Sequence, residues 1–382
     1  NVGEAESMAT GEGVIGYSKV MNTQSVRVST FDDRLVAKLI HALLTQTQIP
    51  VADVADHAGI LGAAGLRAET HRLFGCSPTQ LRRDNMPASR RRPQAAVIRV
   101  DLPVTGAYDF EWVFDYLCTR ALQGIEEVQG RCYRRRVSQA GKPLVWLTVS
   151  QHDTGLQAVL PLTCGPACEL LSRVVRLFDV RVDGDLIDRT LFGAPSRYLK
   201  HSVAQAPGLR VPGAWDGFET AVRAVLGQQV SVARGTELAN RMVEAYGEGD
   251  FPAPDQLRHQ EIAELGMPGN RGRAISTLAE WVDMDGYTLL EGQASESFVQ
   301  GLGAVKGIGP WTQNYMRLRV VKDVDAFPHN DWVVLKQLKT TPAQALKLAD
   351  CWRPWRAYAL MHIWRLAGLQ RKASEAMTRR NK

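Results

Sequence analysis

Two glycines one residue apart, in Val305-Lys306-Gly307-Ile308-Gly309-Pro310-Trp311-Thr312, stand immediately before a stretch with helical patterning. Such a turn lets backbone N–H groups approach an anion closely at the positive end of a helix, so it can hold a phosphate; the same pattern also closes ordinary tight turns. Some twenty residues on, Phe327-Pro328-His329-Asn330-Asp331-Trp332 breaks at proline and restarts a helix, with Asn330 as the candidate N-cap and Asp331 in the first turn. A carboxylate at that position is either a helix cap or a fixed negative group able to stabilise a developing cation. Asp325, ahead of Pro328, is the alternative carboxylate. Trp311 and Tyr315 lie four apart on one helix and Trp364 lies on a later one, which makes them either core or a ring-lined wall for a planar partner.

Other chemistries find less support. The six cysteines, at positions 76, 118, 132, 164, 168 and 351, lack the paired short spacings of a zinc site. Cys164 and Cys168 are the nearest pair, with no second Cys or His pair beside them, and all six read as reduced thiols. No catalytic metal is expected. Lys plus Arg number 46 against 40 acids, a net charge of +6, and the excess is unevenly spread. Six arginines and one acid fall between Arg82 and Arg99, and Arg131, Arg134, Arg135 and Arg136 follow, so a polyanionic partner is one reading and a solvated linker at Arg90-Arg91-Arg92-Pro93 the other.

The elements that must position these residues follow from length and pattern. At 382 residues, 45% hydrophobic and 23% charged, the chain is long enough for two or three globular domains. No apolar run nears the ~18 residues of a membrane span and no signal peptide is visible, so a soluble cytoplasmic protein is expected. Residues 1–30 are polar and without period, and read as a flexible tail. Residues 31–86 read as helical, with two short helices around Gly59 suggesting a helix-turn-helix, and 87–96 as an Arg/Pro linker. From 97 to 200 strand-like runs such as Val145-Trp146-Leu147-Thr148-Val149 alternate with amphipathic helices, an α+β pattern with an antiparallel sheet. Residues 201–370 read as an all-helical bundle and 371–382 as a basic tail. The fold class expected is thus multidomain α+β.

Ala55, Gly59 and Gly75-Cys76-Ser77-Pro78 resemble the DNA-binding domain of AraC-type regulators. The reading helix departs from that pattern: Gly62 replaces a capping Ser, Leu66 and Thr70 replace aromatic core residues, and Ala63, Ala64 and Gly65 offer no groups to read base edges. Arg67, His71 and Arg72 remain as candidate phosphate contacts; the alternative is a vestigial three-helix packing module.

The hairpin and the later aspartate resemble the helix-hairpin-helix superfamily of DNA glycosylases, and more closely the AlkA type of 3-methyladenine DNA glycosylase II, from about Asp101 to Gly368. The similarity is carried by Tyr108-Asp109-Phe110-Glu111-Trp112, Arg176-Leu177-Phe178-Asp179, Ala224-Val225-Leu226-Gly227-Gln228-Gln229-Val230-Ser231, Leu265-Gly266-Met267-Pro268, the hairpin through Tyr315, and Trp352-Arg353-Pro354-Trp355-Arg356. The resemblance implies a base-excision repair enzyme that flips a damaged base out of duplex DNA. Asp331 would be the catalytic carboxylate, and Trp311, Tyr315, Trp364 and Tyr116 the base pocket, whose electron-rich rings favour cationic alkylated purines such as 3-methyladenine and 7-methylguanine. It also implies phosphate anchoring by backbone amides of Gly307, Gly309 and Trp311 beside Thr312, and a wedge at Gln228 and Gln229, where ordinary helix-end polarity is the plainer reading. Carbonyls of Gly303, Val305 and Ile308 would hold a monovalent cation, Na+ or K+; no other cofactor is implied.

Trp311 stands where strand-nicking relatives carry a lysine, and an indole cannot form a Schiff base, so a monofunctional enzyme is expected. The partner expected is double-stranded DNA with alkylated bases, near the bacterial nucleoid, with the chain acting as a monomer. A non-catalytic DNA-binding regulator and an oxidised-guanine glycosylase of the same fold are the competing readings.

Overall fold

The computed structural model describes residues 32–85, 97–138, 144–153, 155–285, 299 and 301–380. The stretches read as the N-terminal tail, 1–30, and the Arg/Pro linker, 87–96, lie outside the described residues.

Four helices open the chain: α1 (Asp33–Gln46), α2 (Val51–Ala58), α3 (Gly62–Phe74) and α4 (Pro78–Asn85). Asp32 caps α1 by accepting from the Leu35 N–H at 2.9 Å, and Gly59, at φ 69°, ends α2 in the left-handed conformation that favours glycine. Leu66 and Thr70 are both fully buried on α3, and the Thr70 hydroxyl donates to the Leu66 carbonyl at 2.7 Å. The apolar residues of α1 pack into one continuous core with Ile98, Val100 and Leu102 of the following sheet.

That sheet has five antiparallel strands in the order β1-β5-β4-β3-β2: β1 (Val97–Leu102), β2 (Glu126–Gln129), β3 (Cys132–Val137), β4 (Val145–His152) and β5 (Gly155–Pro161). The period of two is clean in β1, where Ile98, Val100 and Leu102 face the core and Arg99 and Asp101 face water. β1 is an edge strand, and the Gln46 amide covers part of it by accepting from the Arg99 N–H at 2.8 Å and donating to the Arg99 carbonyl at 2.9 Å. Helices α5 (Phe110–Cys118) and α6 (Ala167–Phe178) complete this core with Val113, Phe114, Leu171 and Phe178.

The chain changes core between Val180 and Ile187, ahead of the boundary expected at 200. Helices α7 (Gly184–Gly193) and α8 (Arg197–Gln205) pack Ile187, Leu191, Leu199 and Val203 against Leu360, Met361 and Ile363 near the other end of the chain. A further core joins α9 (Gly217–Leu226), α10 (Val232–Tyr246), α11 (Pro254–Leu257) and α12 (Gly269–Asp285) to the hairpin. After the hairpin come α13 (Pro310–Met316), a π-helical turn (Arg317–Val321), α14 (Trp332–Leu338), α15 (Pro342–Ala349) and α16 (Arg356–Arg380). Because α16 runs to Arg380, most of the stretch read as a basic tail is helical. No described helix is long and apolar enough to cross a membrane.

Candidate active site

The hairpin needs only one of its glycines for backbone reasons. Gly307 adopts φ +98°, and a Cβ there would lie 2.5 Å from the Ala274 Cβ on α12, so a side chain is excluded twice over. Gly309 is extended, at φ −89° and ψ 177°, and a Cβ there would meet nothing within 4 Å. Its value is open space in front of the first turn of α13, where the Trp311 and Thr312 N–H groups precede any intrahelical acceptor. Gln228 fastens this turn from the α9–α10 connection, donating to the Gly307 carbonyl and to the buried Thr312 hydroxyl, each at 3.3 Å. Its neighbour Gln229 is exposed and left-handed at φ 57°, so one glutamine is engaged and the other points to solvent.

Asp331 sits one position earlier than expected: it is itself the N-cap of α14, and its Oδ1 accepts from the Val334 N–H at 3.0 Å. The Phe327–Asp331 turn sets it there. Phe327 is buried edge-to-face on Trp352 at 5.6 Å, and the Asp331 N–H closes the turn on the Pro328 carbonyl at 2.9 Å. Two indoles from different helices then meet the carboxylate. Trp311 Nε1 donates to Oδ2 at 2.8 Å and Trp364 Nε1 to Oδ1 at 3.4 Å. The residue is only 7% exposed, so three N–H donors rather than bulk water surround it. Asp325, the alternative, is taken up by Arg353 and by Arg356, whose Nε lies 2.6 Å away.

The rings gather beside that carboxylate. Trp311 stacks on Tyr315 with centroids 5.2 Å apart and planes 16° from parallel; Trp364 lies 6.5 Å from Tyr315; and Tyr116, from α5, brings its hydroxyl within 3.4 Å of the Tyr315 hydroxyl. Residues 116, 311, 315, 331 and 364 are therefore brought together. Trp311 and Tyr315 are already in contact, so a planar guest must use an outer ring face or part Tyr315 from Trp364.

Sequence reasoning missed Arg319, one turn beyond Tyr315 in the π-helical turn, a helical irregularity that recurs at functional sites. This guanidinium is 7% exposed, donates to the Tyr315 hydroxyl at 2.6 Å, to the Tyr116 hydroxyl and to the Gly213 carbonyl at 2.7 Å. The signal was its spacing, four beyond Tyr315 and eight beyond Trp311, on the face that carries the rings. Burial pushes both phenols up, but Arg120 and Arg319 outweigh it at Tyr116, which falls to about 8, while Tyr315 remains raised.

The arginine cluster of β3 is divided by strand alternation. Arg135 turns inward, 2% exposed, and pairs with Glu219 at 2.6 Å and Glu126 at 3.2 Å, while Arg134 and Arg136 flank the Trp146 ring on the other face. Only part of the cluster is thus available to a polyanion. In the N-terminal helices Arg67 and His71 are exposed, but Arg72 is held by Asp33 at 2.7 Å and Glu69 at 2.6 Å, which occupies the donors a phosphate would need. Among the described residues no group of three or more His, Cys, Asp or Glu is placed to hold a metal ion. Around the hairpin, the Val305 carbonyl already accepts from the Ile308 N–H at 3.0 Å, and Gly303 and Ile308 lie in the same turn.

Comparison with known proteins gives the family and the fold. A family model for the AlkA N-terminal domain matches residues 99–216. The DNA-3-methyladenine glycosylase 2 of Escherichia coli (strain K12) is 33% identical over 284 residues, covering 69% of this chain and 95% of that one. A probable bifunctional transcriptional activator/DNA repair enzyme AlkA of Mycobacterium tuberculosis (strain ATCC 25618 / H37Rv) is 31% identical over 377 residues, covering 93% of this chain and 71% of the relative. The solved 3-methyladenine DNA glycosylase from Archaeoglobus fulgidus superposes with a TM-score of 0.60 at 16% identity, covering 70% of this chain and 98% of that one, a likeness of fold. With a helical bundle and a five-stranded antiparallel sheet in place, the chain belongs to the AlkA family of DNA-3-methyladenine glycosylases, N-glycosyl hydrolases with a helix-hairpin-helix fold.

Proposed function

We propose that this enzyme excises alkylated purines, chiefly 3-methyladenine and 7-methylguanine, from duplex DNA and leaves an abasic site. The observation that carries the reading is the Asp331 carboxylate, bonded by two indole N–H groups at the edge of a ring cluster that follows a glycine hairpin. Breaking the N-glycosidic bond places positive charge on the sugar, and a negative carboxylate held in a largely dry site stabilises that charge. The base leaves with the bonding electron pair, so that a purine already cationic departs as a neutral molecule; water then adds to the sugar cation at the anomeric carbon and releases its proton to the Asp331 carboxylate and on to solvent. The leaving group therefore needs no strong acid.

DNA enters this scheme through the hairpin, whose open approach at Gly309 suits a phosphate on the Gly307, Gly309 and Trp311 amides. The carbonyls of Gly303, Val305 and Ile308 would hold a monovalent cation there. Gln229, exposed beside the hairpin, would fill the gap left by the flipped nucleotide and bond the orphaned base. The N-terminal helices would add sequence-tolerant phosphate contacts through Arg67 and His71 rather than read an operator, since Arg72 is already engaged. The chain would act as a monomer in the cytoplasm.

The test is base release from methylated duplex DNA. Asp331→Asn should lose at least about a hundredfold in single-turnover rate, the order expected when one preorganised electrostatic group is removed; wild-type release by that variant would end the assignment. Borohydride should trap no covalent complex, because position 311 carries no amine.

A further inference from the structure

Arg319 is a charge that the excision reading leaves unused. It is buried, and among the described residues it has no carboxylate partner and its Nε finds no acceptor. Its partners are two neutral phenols and a carbonyl. The guanidinium also lies over the rings of Tyr116 and Tyr315, 4.8 Å and 5.5 Å from their centroids. The faces of two pocket rings are thus already turned to a resident cation, which repels the positively charged purines the pocket is expected to receive.

We propose that Arg319 and Tyr116 form a charge-setting pair on the inner wall of the base pocket, in which Arg319 biases the site toward neutral bases and the Tyr116 phenol, on releasing its proton, becomes the counter-ion that readmits cationic alkylpurines. The proposal rests on the alkylpurine reading above. Tyr116 is suited to the task because it accepts from Arg319, faces the Tyr315 hydroxyl at 3.4 Å and carries Arg120 over its ring at 3.7 Å. The groups that face it come from four elements: Arg120 beyond its own α5, Tyr315 on α13, Arg319 in the π-helical turn and Arg223 on α9. Glu126 and Glu219 line the same crevice but are held by Arg135 and Arg223. That crevice, ≈ 460 Å³ with its open mouth included, gives the phenolic proton a route to water. Three guanidiniums outweigh burial and bring the phenol down to about 8, so the switch operates near physiological pH. Tyr315, whose hydroxyl remains raised, stays neutral and supplies a hydrogen bond to the phenolate.

The experiment is the pH profile of single-turnover 3-methyladenine release, at constant ionic strength, for the full chain and for Tyr116→Phe. A unit charge about 10 Å away in a protein-like dielectric changes such a rate by about tenfold. With the phenol near 8, release by the wild type should therefore rise about fivefold from pH 7 to about pH 9, as the phenol passes from mostly neutral to mostly ionised, and Tyr116→Phe should show no rise. In parallel, ultraviolet difference titration of the protein without DNA should reveal one tyrosinate forming near pH 8 in the wild type and missing in the variant. Parallel rate profiles, or no tyrosinate below about pH 9, would overturn the proposal. A wild type that releases no 3-methyladenine at any pH would instead refute the excision reading, and the titration, which needs no substrate, would still decide whether the pair exists.

Discussion

Trp311 and Trp364 both aim an indole N–H at Asp331, at 2.8 Å and 3.4 Å, and the difference separates a strong hydrogen bond from a marginal one. Replacing either tryptophan by phenylalanine keeps a ring face and removes the donor. A hydrogen bond to a charged group contributes ~1.5–3 kcal/mol, so Trp311→Phe should slow single-turnover release by about ten- to a hundredfold if the bond orients the carboxylate in the transition state. Trp364→Phe should cost less than about threefold. Equal losses would mean that the rings act only by stacking. Trp311 and Asp331 could be singled out in the sequence because each sits at a fixed offset from a strong punctuation signal, Trp311 directly after Gly-x-Gly-Pro and Asp331 three after Pro328; their grouping with Trp364 was implied by the family resemblance. Arg319 was not, because an arginine in a helical pattern is expected at the surface and nothing in its type announces burial without a carboxylate.

At the level of elements, the arginine-rich β3 was read as one basic cluster because composition ignores the alternation of a strand. Once Cys132–Val137 is a strand, Arg135 must face opposite to Arg134 and Arg136. What no sequence offset could reveal is the partner, Glu219, 84 positions away on α9. Arg135, Glu126, Glu219 and Arg223 form a buried network that joins the sheet to the helical bundle, with the Tyr133 hydroxyl donating to Glu126 at 2.7 Å. Removing Glu219 leaves the Arg135 and Arg223 guanidiniums to share Glu126 alone, an excess buried positive charge, so Glu219→Ala should lower stability by ~3–5 kcal/mol. Adding Arg135→Met should restore part of that loss instead of deepening it, because the second change removes the excess guanidinium and leaves Glu126 paired with Arg223. Denaturant midpoints for the two single variants and the double variant measure the coupling, and additive losses would argue that the network is solvated. The antiparallel sheet and the helical bundle were legible from periodicity; the core boundary was not, since α7 and α8 follow the sheet in sequence yet bury Leu191 and Leu199 against α16.

For the whole molecule, stability should fall with acid through one buried imidazole. His362 on α16 is 1% exposed, shares a hydrogen bond of 2.9 Å with Ser202 of α8, and is pushed down to about 3 by burial and then by Arg365. Between about pH 6.5 and about pH 3 the unfolded chain binds a proton that the folded chain refuses, so unfolding gains as pH falls. Asp188, raised to about 6 by burial, acts in the opposite sense over about pH 6 to 3.8, but its smaller displacement offsets only part of the loss. The two uptakes nearly cancel between about pH 6 and 3.8, so the thermal midpoint should stay almost level there and drop from about pH 3.8 to 3, where the His362 loss stands alone; His362→Gln should remove that drop, and an unchanged profile would shift the cause elsewhere. The N-terminal helices enter at this same scale. Because α1 buries Leu35, Val36, Leu39, Ile40, Leu43 and Leu44 in the core that also holds Ile98, Val100 and Leu102, and Gln46 covers the β1 backbone, these helices shield a sheet edge that would otherwise face water. A chain starting at Val97 should consequently melt several degrees lower and self-associate, as measured by thermal unfolding and light scattering, while its single-turnover base release per folded molecule, with DNA saturated by enzyme, should match the full chain. If the shortened chain is as stable and as monodisperse as the intact one, α1–α4 form a detachable module, and their contribution must be sought in DNA contacts through Arg67 and His71 rather than in the sheet they cover.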